Sequence, residues 1–267
     1  MIFPSLSFED YRKLDAYGSS DLRAMRVGPP AMVPWRRANP HQETDATRLG
    51  TAAHCAIIEG DAFQERFAFK PDGMSFATKE GKAWRASQGG RSIVSHDESE
   101  RILGIVSAFQ SKSSAFASLV NATVREASIV WPSQGVALKG RPDWYDGTHV
   151  YDLKITRHAN ERSAAFRAWS EGWSHQLAHY RAGLAAEDGV LRGGRLVLIN
   201  PEPPHSVYLL EVKPDTLDLL ALENEAAVRR IAECEASGVW PGTPEEWTRV
   251  DLPAAALAEV GGMFAED

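Results

Sequence analysis

Residues 136–156 read VALKGRPDWYDGTHVYDLKIT, and this stretch decides the fold. Two β-prone runs, 136–145 and 148–156, flank Asp146-Gly147, and an Asp-Gly pair in that setting signals a hairpin. Taken as a two-residue turn, the pair sets Tyr145 against Thr148 and position 143 opposite position 150. Side chains alternate along a strand, so 150, 152 and 154 share one face. Opposite residues also share a face, which adds 143 to the set. Asp143, Asp152 and Lys154 then converge on one side of the sheet, with the two aspartates as diagonal neighbours whose backbones lie roughly 7–8 Å apart. Tyr151, Leu153 and Ile155 point the other way and suit a core.

Two carboxylates at that reach can grip one hard cation. Mg²⁺ takes oxygen ligands in an octahedron and keeps several waters, a demand that two aspartates and a backbone carbonyl meet. Bound next to a phosphodiester, such an ion polarises the phosphoryl oxygen, acidifies a water and steadies the leaving oxygen. Lys154 stands where it can orient that water or stabilise charge on the phosphate. Read from these residues alone, the plain alternative stays open: Asp143 and Asp152 as exposed acids on a sheet face, with Lys154 a surface partner. The tripeptide D-x-K is common; the hairpin and the preceding Pro142 shift the balance toward a site.

Outward from the hairpin, the pattern alternates between periods. Residues 19–26 (SSDLRAMR) open with serines and suit a capped helix. Residues 47–59 (TRLGTAAHCAIIE) read as a mostly buried helix, and 97–120 return to helical spacing. Between them, 70–91 carry charges, glycines and few large apolar residues, which predicts a mobile flap or surface excursion. Residues 125–131 (REASIVW), 195–200 (RLVLIN) and 207–212 (VYLLEV) read as strands. Residues 163–187 are helical with a break near Gly172, and 215–236 form a long helix ended by Gly238. Helices, a mainly antiparallel meander interrupted by a helix, and a final helix make an α/β domain with a central mixed sheet flanked by helices.

The composition narrows the function classes. An apolar fraction of 43% with eight tryptophans excludes wholesale disorder. No apolar run approaches the ~20 residues that cross a bilayer. MIFPSLSFEDYRKLD lacks a basic start followed by an apolar stretch, so no secretory signal is expected. Cys55 and Cys234 cannot build a disulfide framework, and a cytoplasmic setting is expected. No GxxxxGK[ST] loop is present, so no ATPase of the chain's own is expected. The net charge of −7 argues against a nucleic-acid partner, unless acids are concentrated at a cation site that reverses the local sign. Basic clusters do occur at Arg23, Arg26, Arg36 and Arg37, at Lys79, Lys82 and Arg85, and at Arg157, Arg162 and Arg167. For any one of them a solvated helix face is the commoner outcome.

Several other residues have a plain reading and a functional one. His54, between Ala53 and Cys55 in an apolar helix, is by itself more commonly a satisfied core histidine than a ligand. Glu126 alone reads equally as a strand-edge acid. Gln176 and Tyr180 are four apart and share a helix face, which packing explains as well as a site does. Trp169 and Trp173 read as core rather than base-stacking platforms. His175 and His179 also share a face, but no carboxylate at zincin spacing accompanies them, and they read as ordinary.

Gly140-Arg141-Pro142-Asp143 followed by Asp152-Leu153-Lys154 resembles the signature of the PD-(D/E)XK nuclease superfamily, whose core is restriction-endonuclease-like. Gly50-Thr51-Ala52-Ala53-His54 resembles the upstream histidine motif of its RecB-like and RecE-like branches. Glu126 matches the acidic residue on the strand before the PD strand, and Gln176 and Tyr180 match the following Gln-x-x-x-Tyr helix motif. SSDLRAM, Trp35-Arg36, Lys79-Glu80-Gly81-Lys82, GRSIVSHDE at 90–98 and Val239-Trp240-Pro241 extend the similarity to the RecE-like exonuclease domain (exodeoxyribonuclease VIII type), in order and over nearly the whole chain.

The resemblance implies a site residue by residue. Asp143, Asp152 and the Leu153 carbonyl are implied metal ligands, Lys154 positions or activates the water, and Glu126 helps hold a metal or its water. His54 is implied at the metal site, and Gln176 and Tyr180 as buttresses or phosphate contacts. Mg²⁺ is the implied ion, and Mn²⁺ is accepted by the same oxygen-rich set. The implied activity is 5′→3′ degradation of linear double-stranded DNA by a homo-oligomeric ring, a tetramer, leaving 3′ overhangs for a single-strand annealing protein in phage-type recombination. A ring around duplex calls for a basic channel and an acidic exterior. An iron–sulfur cluster, present in some relatives, is not expected with two cysteines. The implied layout is one nuclease domain over 1–267, with a helical part at about 1–120, a catalytic core at about 121–238 and a tail at 239–267. A nuclease of the same fold that nicks or cuts flaps, or a DNA-binding protein that keeps the fold without turnover, are the alternatives.

Overall fold

The computed structural model describes residues 1–40, 45–60, 62–247 and 249. The chain starts with β1 (Ile2–Phe3) and a run of helices: α1 (Phe8–Lys13), α2 (Ser19–Val27), α3 (Met32–Ala38), α4 (Asp45–Ile58) and α5 (Ala62–Arg66). There follow β2 (Phe67–Phe69), α6 (Lys79–Ser87), β3 (Ser92–Val94), α7 (His96–Ser111) and α8 (Ser113–Val120). The β-rich part holds β4 (Val124–Arg125), β5 (Ser128–Ser133), β6 (Val136–Gly140), β7 (Trp144–Tyr145) and β8 (His149–Ile155). Helices α9 (Glu161–Ser170) and α10 (Trp173–Asp188) lead to β9 (Gly193–Ile199), β10 (Val207–Val212) and α11 (Pro214–Ser237). Most of the expected tail, from 250 onward, lies outside the described residues.

The central sheet has the order β10-β9-β8-β7-β4. Strands β8 and β9 are parallel and the other neighbours antiparallel, so the sheet is mixed, as the alternation of periods predicts. A parallel pair needs a crossover, and α9 and α10 supply it. Left-handed Gly172 (φ 78°) divides them, at the break the sequence marks. The two faces of the sheet feed different cores. Val150, Leu196 and Leu198 pack with Leu177 and Leu184 of α10. Tyr151, Leu153, Val197 and Ile199 pack with Ile102, Ile105 and Phe109 of α7. With both faces covered, alternate residues of β8 are buried on either side, including the one acid, Asp152.

A second sheet, β1-β5-β6, packs across α10, which is therefore buried nearly all round. Close approach is set by glycine. A Cβ on Gly140 would lie 2.9 Å from the Tyr180 ring, and one on Gly183 2.6 Å from the Trp131 ring. Bare backbone at these positions lets α10 settle onto the β5–β6 hairpin.

Five local expectations are corrected. Asp146-Gly147 is not a two-residue turn: Trp144 pairs with Tyr151 and Tyr145 with Val150. A type I′ turn needs positive φ at both central residues, and no residue from 146 to 149 has it. Instead Asp146 Oδ1 accepts from the N–H groups of Thr148 (2.7 Å) and His149 (2.8 Å) and shapes a wider loop. The register is displaced by two residues, an even number, so every side chain keeps its face and Asp143 falls directly opposite Asp152 rather than diagonal to it. The true two-residue hairpin turn is Gln134-Gly135, with φ 48° and 86°, closing β5 onto β6.

The run 125–131 is split, because the chain leaves the central sheet at Arg125 and enters the second at Ser128. Glu126 lies in the break with left-handed backbone (φ 52°). Within 70–91 the structure forms the surface excursion, mostly exposed, and it carries helix α6 capped by the Thr78 hydroxyl rather than an irregular flap. Helix α2 is capped by Gly18, whose N–H is held by Asp21 at 2.8 Å, so the two serines are its first residues rather than its cap. Trp169 is 56% exposed beside Phe166 on α9 rather than core, whereas Trp173 packs partly against the core.

Candidate functional site

Every side chain singled out from the sequence as a site candidate lines one cleft of about 1090 Å³, and so does Leu153. Asp152 and Lys154 project from β8, the most enclosed part of the sheet. Asp143 immediately precedes β7, and Glu126 sits at the break between β4 and β5. His54 enters from α4, and Gln176 and Tyr180 from α10. Helix α4, the β4–β5 break, the β7–β8 pair and α10 thus meet at the middle of the central sheet.

The contacts are short. His54 Nε2 lies 3.0 Å from Asp143 Oδ1, and its Nδ1 lies 3.6 Å from Glu126 Oε1. One donor atom from each of His54, Glu126 and Asp143 falls within 4.8 Å of the others, close enough to share one ion. The Leu153 N–H donates to Asp143 Oδ2 at 2.5 Å. Within a strand the N–H and C=O of one residue face the same side, so the Leu153 carbonyl is turned toward this edge as well.

Asp152 is the anomaly. It is fully buried; Lys154 Nζ pairs with Oδ2 at 2.6 Å, while Oδ1 has no partner. Buried acceptors normally have partners, and an unpaired one costs about 1–3 kcal/mol. His54, Glu126 and Asp143 offer donor atoms that can share one divalent ion, and the unpartnered Asp152 Oδ1 stands on the strand beside Asp143, so the residues present fit such an ion.

Glu126 is fixed from several sides. Arg141 Nε donates to its Oε2 at 2.6 Å, while the same guanidinium donates to the Leu6 carbonyl (2.8 Å) and to Ser128 Oγ (2.7 Å). The Glu126 N–H donates to the Asp143 carbonyl at 2.9 Å. These bonds hold a backbone conformation that costs a non-glycine residue about 1–3 kcal/mol. Gln176 Nε2 donates to the Tyr180 hydroxyl at 2.5 Å, which joins the two into one unit on the cleft wall.

The electrostatics follow from burial and neighbours. Burial pushes the Asp152 carboxyl up to about 6, against the pull of Lys154. Burial acts on Asp143 in the same sense, but the His54 cation and then Lys154 outweigh it and hold Asp143 below the usual range. Burial and then Asp143 raise Glu126. For His54 burial favours the neutral ring, yet Asp143 and then Glu126 prevail and lift it to about 9. Burial also disfavours charge on Lys154, but Asp152 and Asp143 keep it protonated. Three carboxylates face Lys154, Arg141 and protonated His54, so the centre is near neutral and turns net negative only when His54 gives up its proton. A ligating imidazole must be neutral, so an ion that takes His54 displaces its proton.

His175 and His179 lie away from this centre. His175 Nε2 is 2.7 Å from Glu223 Oε2, and His179 Nε2 is 2.9 Å from the Lys139 carbonyl, with burial pushing His179 down to about 4. Sequence reasoning did not single out Arg141 as a site residue, nor the segment 4–9 with Tyr11, nor Ser19 and Ser20, all of which line the cleft. Arg141 carried a local signal, its place beside Pro142-Asp143. The wall at 4–9 carried none, since the bond from Arg141 to Leu6 spans 135 residues.

No curated protein matches the chain in sequence. A crystal structure from Eubacterium rectale, described as a “Putative exonuclease”, superposes with a TM-score of 0.62 at 13% identity over 97% of this chain and 99% of that one. At that identity the likeness is one of fold. The structure of SSO0001 covers 85% of this chain and 87% of its own at 16% identity, with a TM-score of 0.35. Residues 30–252 match the family described as “PDDEXK-like domain of unknown function (DUF3799)”, and the chain belongs to that family.

Proposed function

We propose that the protein is a metal-dependent deoxyribonuclease acting as an exonuclease on linear double-stranded DNA. The observation that carries this reading is Asp152: a buried carboxylate paired with Lys154 through Oδ2 and left without a partner at Oδ1, opposite Asp143 in a cleft shared with Glu126 and His54. Asp143, Asp152, Glu126, His54 and the Leu153 carbonyl would hold the ion, Mg²⁺ first and Mn²⁺ as a substitute. When bound, the ion supplies positive charge that polarises the phosphoryl oxygen and acidifies a water. Lys154, buried and protonated, donates to that water or to the charge growing on the phosphate. Arg141 keeps Glu126 aimed into the cleft. Gln176 and Tyr180 buttress the opposite wall, where the Tyr180 phenol stays neutral because burial raises its pKa well above the usual value.

By its resemblance to RecE-like domains, the enzyme removes the 5′ strand, leaves a 3′ overhang for an annealing protein, and assembles as a ring, a tetramer. The decisive assay is digestion of linear duplex labelled at one end or the other, with Mg²⁺ or with chelator. The expected result is ion-dependent release of the 5′ label from linear duplex and no attack on covalently closed circles. Cutting of closed circles, or binding without turnover at any ion concentration, would sink the exonuclease reading.

A further inference from the structure

A second cavity, of about 580 Å³, lies apart from the cleft, between α6, β3 and the start of α4 and α7. Four cations line it: Arg48, Lys70, Arg85 and Arg91. Among the described residues its one carboxylate is Glu98, engaged by Arg48 at 2.6 Å and by the Ser95 N–H at 2.8 Å. The Arg91 guanidinium donates to the Gln88 carbonyl (3.1 Å), Gln88 Oε1 (2.7 Å) and the Gln64 carbonyl (3.0 Å), all neutral acceptors, and no described carboxylate pairs with it. Among the described residues, no carboxylate lies within ion-pairing distance of Lys70 or Arg85. Both instead stand over the Phe76 ring, at 5.2 Å and 5.4 Å from its centre, and Phe76 is backed by Trp84 at 6.3 Å and 16° between planes. In a chain of net charge −7, Lys70, Arg85 and Arg91, gathered with no described carboxylate as counter-ion, mark a place for an external anion.

We infer that this cavity binds the phosphodiester backbone of a single DNA strand running to or from the metal centre. An aromatic floor beneath cations suits an unpaired strand, whose bases can stack, better than the outside of a duplex. Helix α4 ties the two places together: Arg48 lies at the cavity, and His54, six residues and about 9 Å further along the axis, lies at the cleft. The inference rests on the nuclease reading for the identity of the strand.

The test is binding of a labelled single-stranded oligonucleotide to the full chain in chelator, followed by fluorescence anisotropy across a salt series. Lys70→Gln with Arg85→Gln keeps the stems over Phe76 and removes two charges. The expected result is affinity weaker on the order of tenfold near 0.1 M salt and a log–log salt slope smaller by about 1.4. Lys70→Arg with Arg85→Lys should bind as the parent does. An unchanged slope in the Gln variant, or a loss confined to blunt duplex, would overturn the inference while leaving cleavage at the metal centre untouched. Loss of single-strand binding in the Gln variant of a protein that never hydrolyses DNA would uphold the cavity and discard the nuclease reading instead.

Discussion

At the scale of single residues, the cleft depends on charges that are hard to keep buried. Asp152 and Lys154 neutralise each other at 2.6 Å, yet Asp152 Oδ1 is left without a partner. Replacing Lys154 by Ala is expected to lower ion-dependent turnover by roughly 10²–10³-fold. Asp152→Ala should remove it altogether, with circular dichroism unchanged for both. Parental rates in either variant would displace the site from β8. Glycine matters here in one respect. Gly140, part of the Gly-Arg-Pro-Asp run, is where the Tyr180 ring needs room, so the motif shapes both walls of the cleft.

At the scale of elements, two turns behave oppositely to their sequences. Gln134-Gly135 carries the left-handed geometry, and a Cβ on Gly135 would meet nothing within 4 Å. Gly135→Ala therefore isolates the backbone penalty: a loss of about 1–2 kcal/mol in chemical denaturation is expected, with nuclease activity intact. Asp146 holds the other loop. Burial opposes its ionisation, but the Thr148 N–H and hydroxyl, the His149 N–H and the Tyr151 hydroxyl together lower its pKa. A depressed folded-state pKa contributes stability that is complete above the unfolded value of about 3.9 and fades as pH falls through the folded one. Asp146→Ala should cost about 1–2 kcal/mol at neutral pH and less below about pH 3.5. A stability gap between parent and variant that stays constant from pH 7 into acid would contradict this assignment.

The same elements show what the sequence made legible. Strands β8, β9 and β10 and helices α10 and α11 were visible from their periods and from Gly172 and Gly238. The shared face of Asp143 and Asp152 was visible too, and survived a wrong turn because side-chain alternation is blind to a shift of two. What stayed hidden depends on distant partners. The kink at Glu126 is imposed by two sheets and by Arg141 rather than by local propensity. The burial of His54 against two acids needs α4 to lie beside β8. Trp169 looked like core by composition alone, whereas helix α9 presents it outward.

At the scale of the molecule, a bound ion would gather α4, the central sheet and the junction with the second sheet. Binding to the folded state alone stabilises by about 2.7 kcal/mol at a hundredfold excess over Kd, which for a chain of this size raises the thermal midpoint by about 5–10 °C. Scanning the parent in Mg²⁺, Mn²⁺ and chelator checks this, and the rise should vanish in Asp152→Ala. No ion-dependent rise in the parent would remove the metal centre.

The left-handed backbone at Glu126 has a consequence for when the enzyme becomes active. The two aspartates belong to the hairpin of the central sheet, but Glu126 reaches them only once β5 has crossed into its own sheet and Arg141 has closed behind it. A half-assembled chain with that outer sheet still open carries an incomplete ligand set. If Glu126 holds the ion as proposed, cutting power therefore depends on the outer sheet as well as on the hairpin that carries the aspartates.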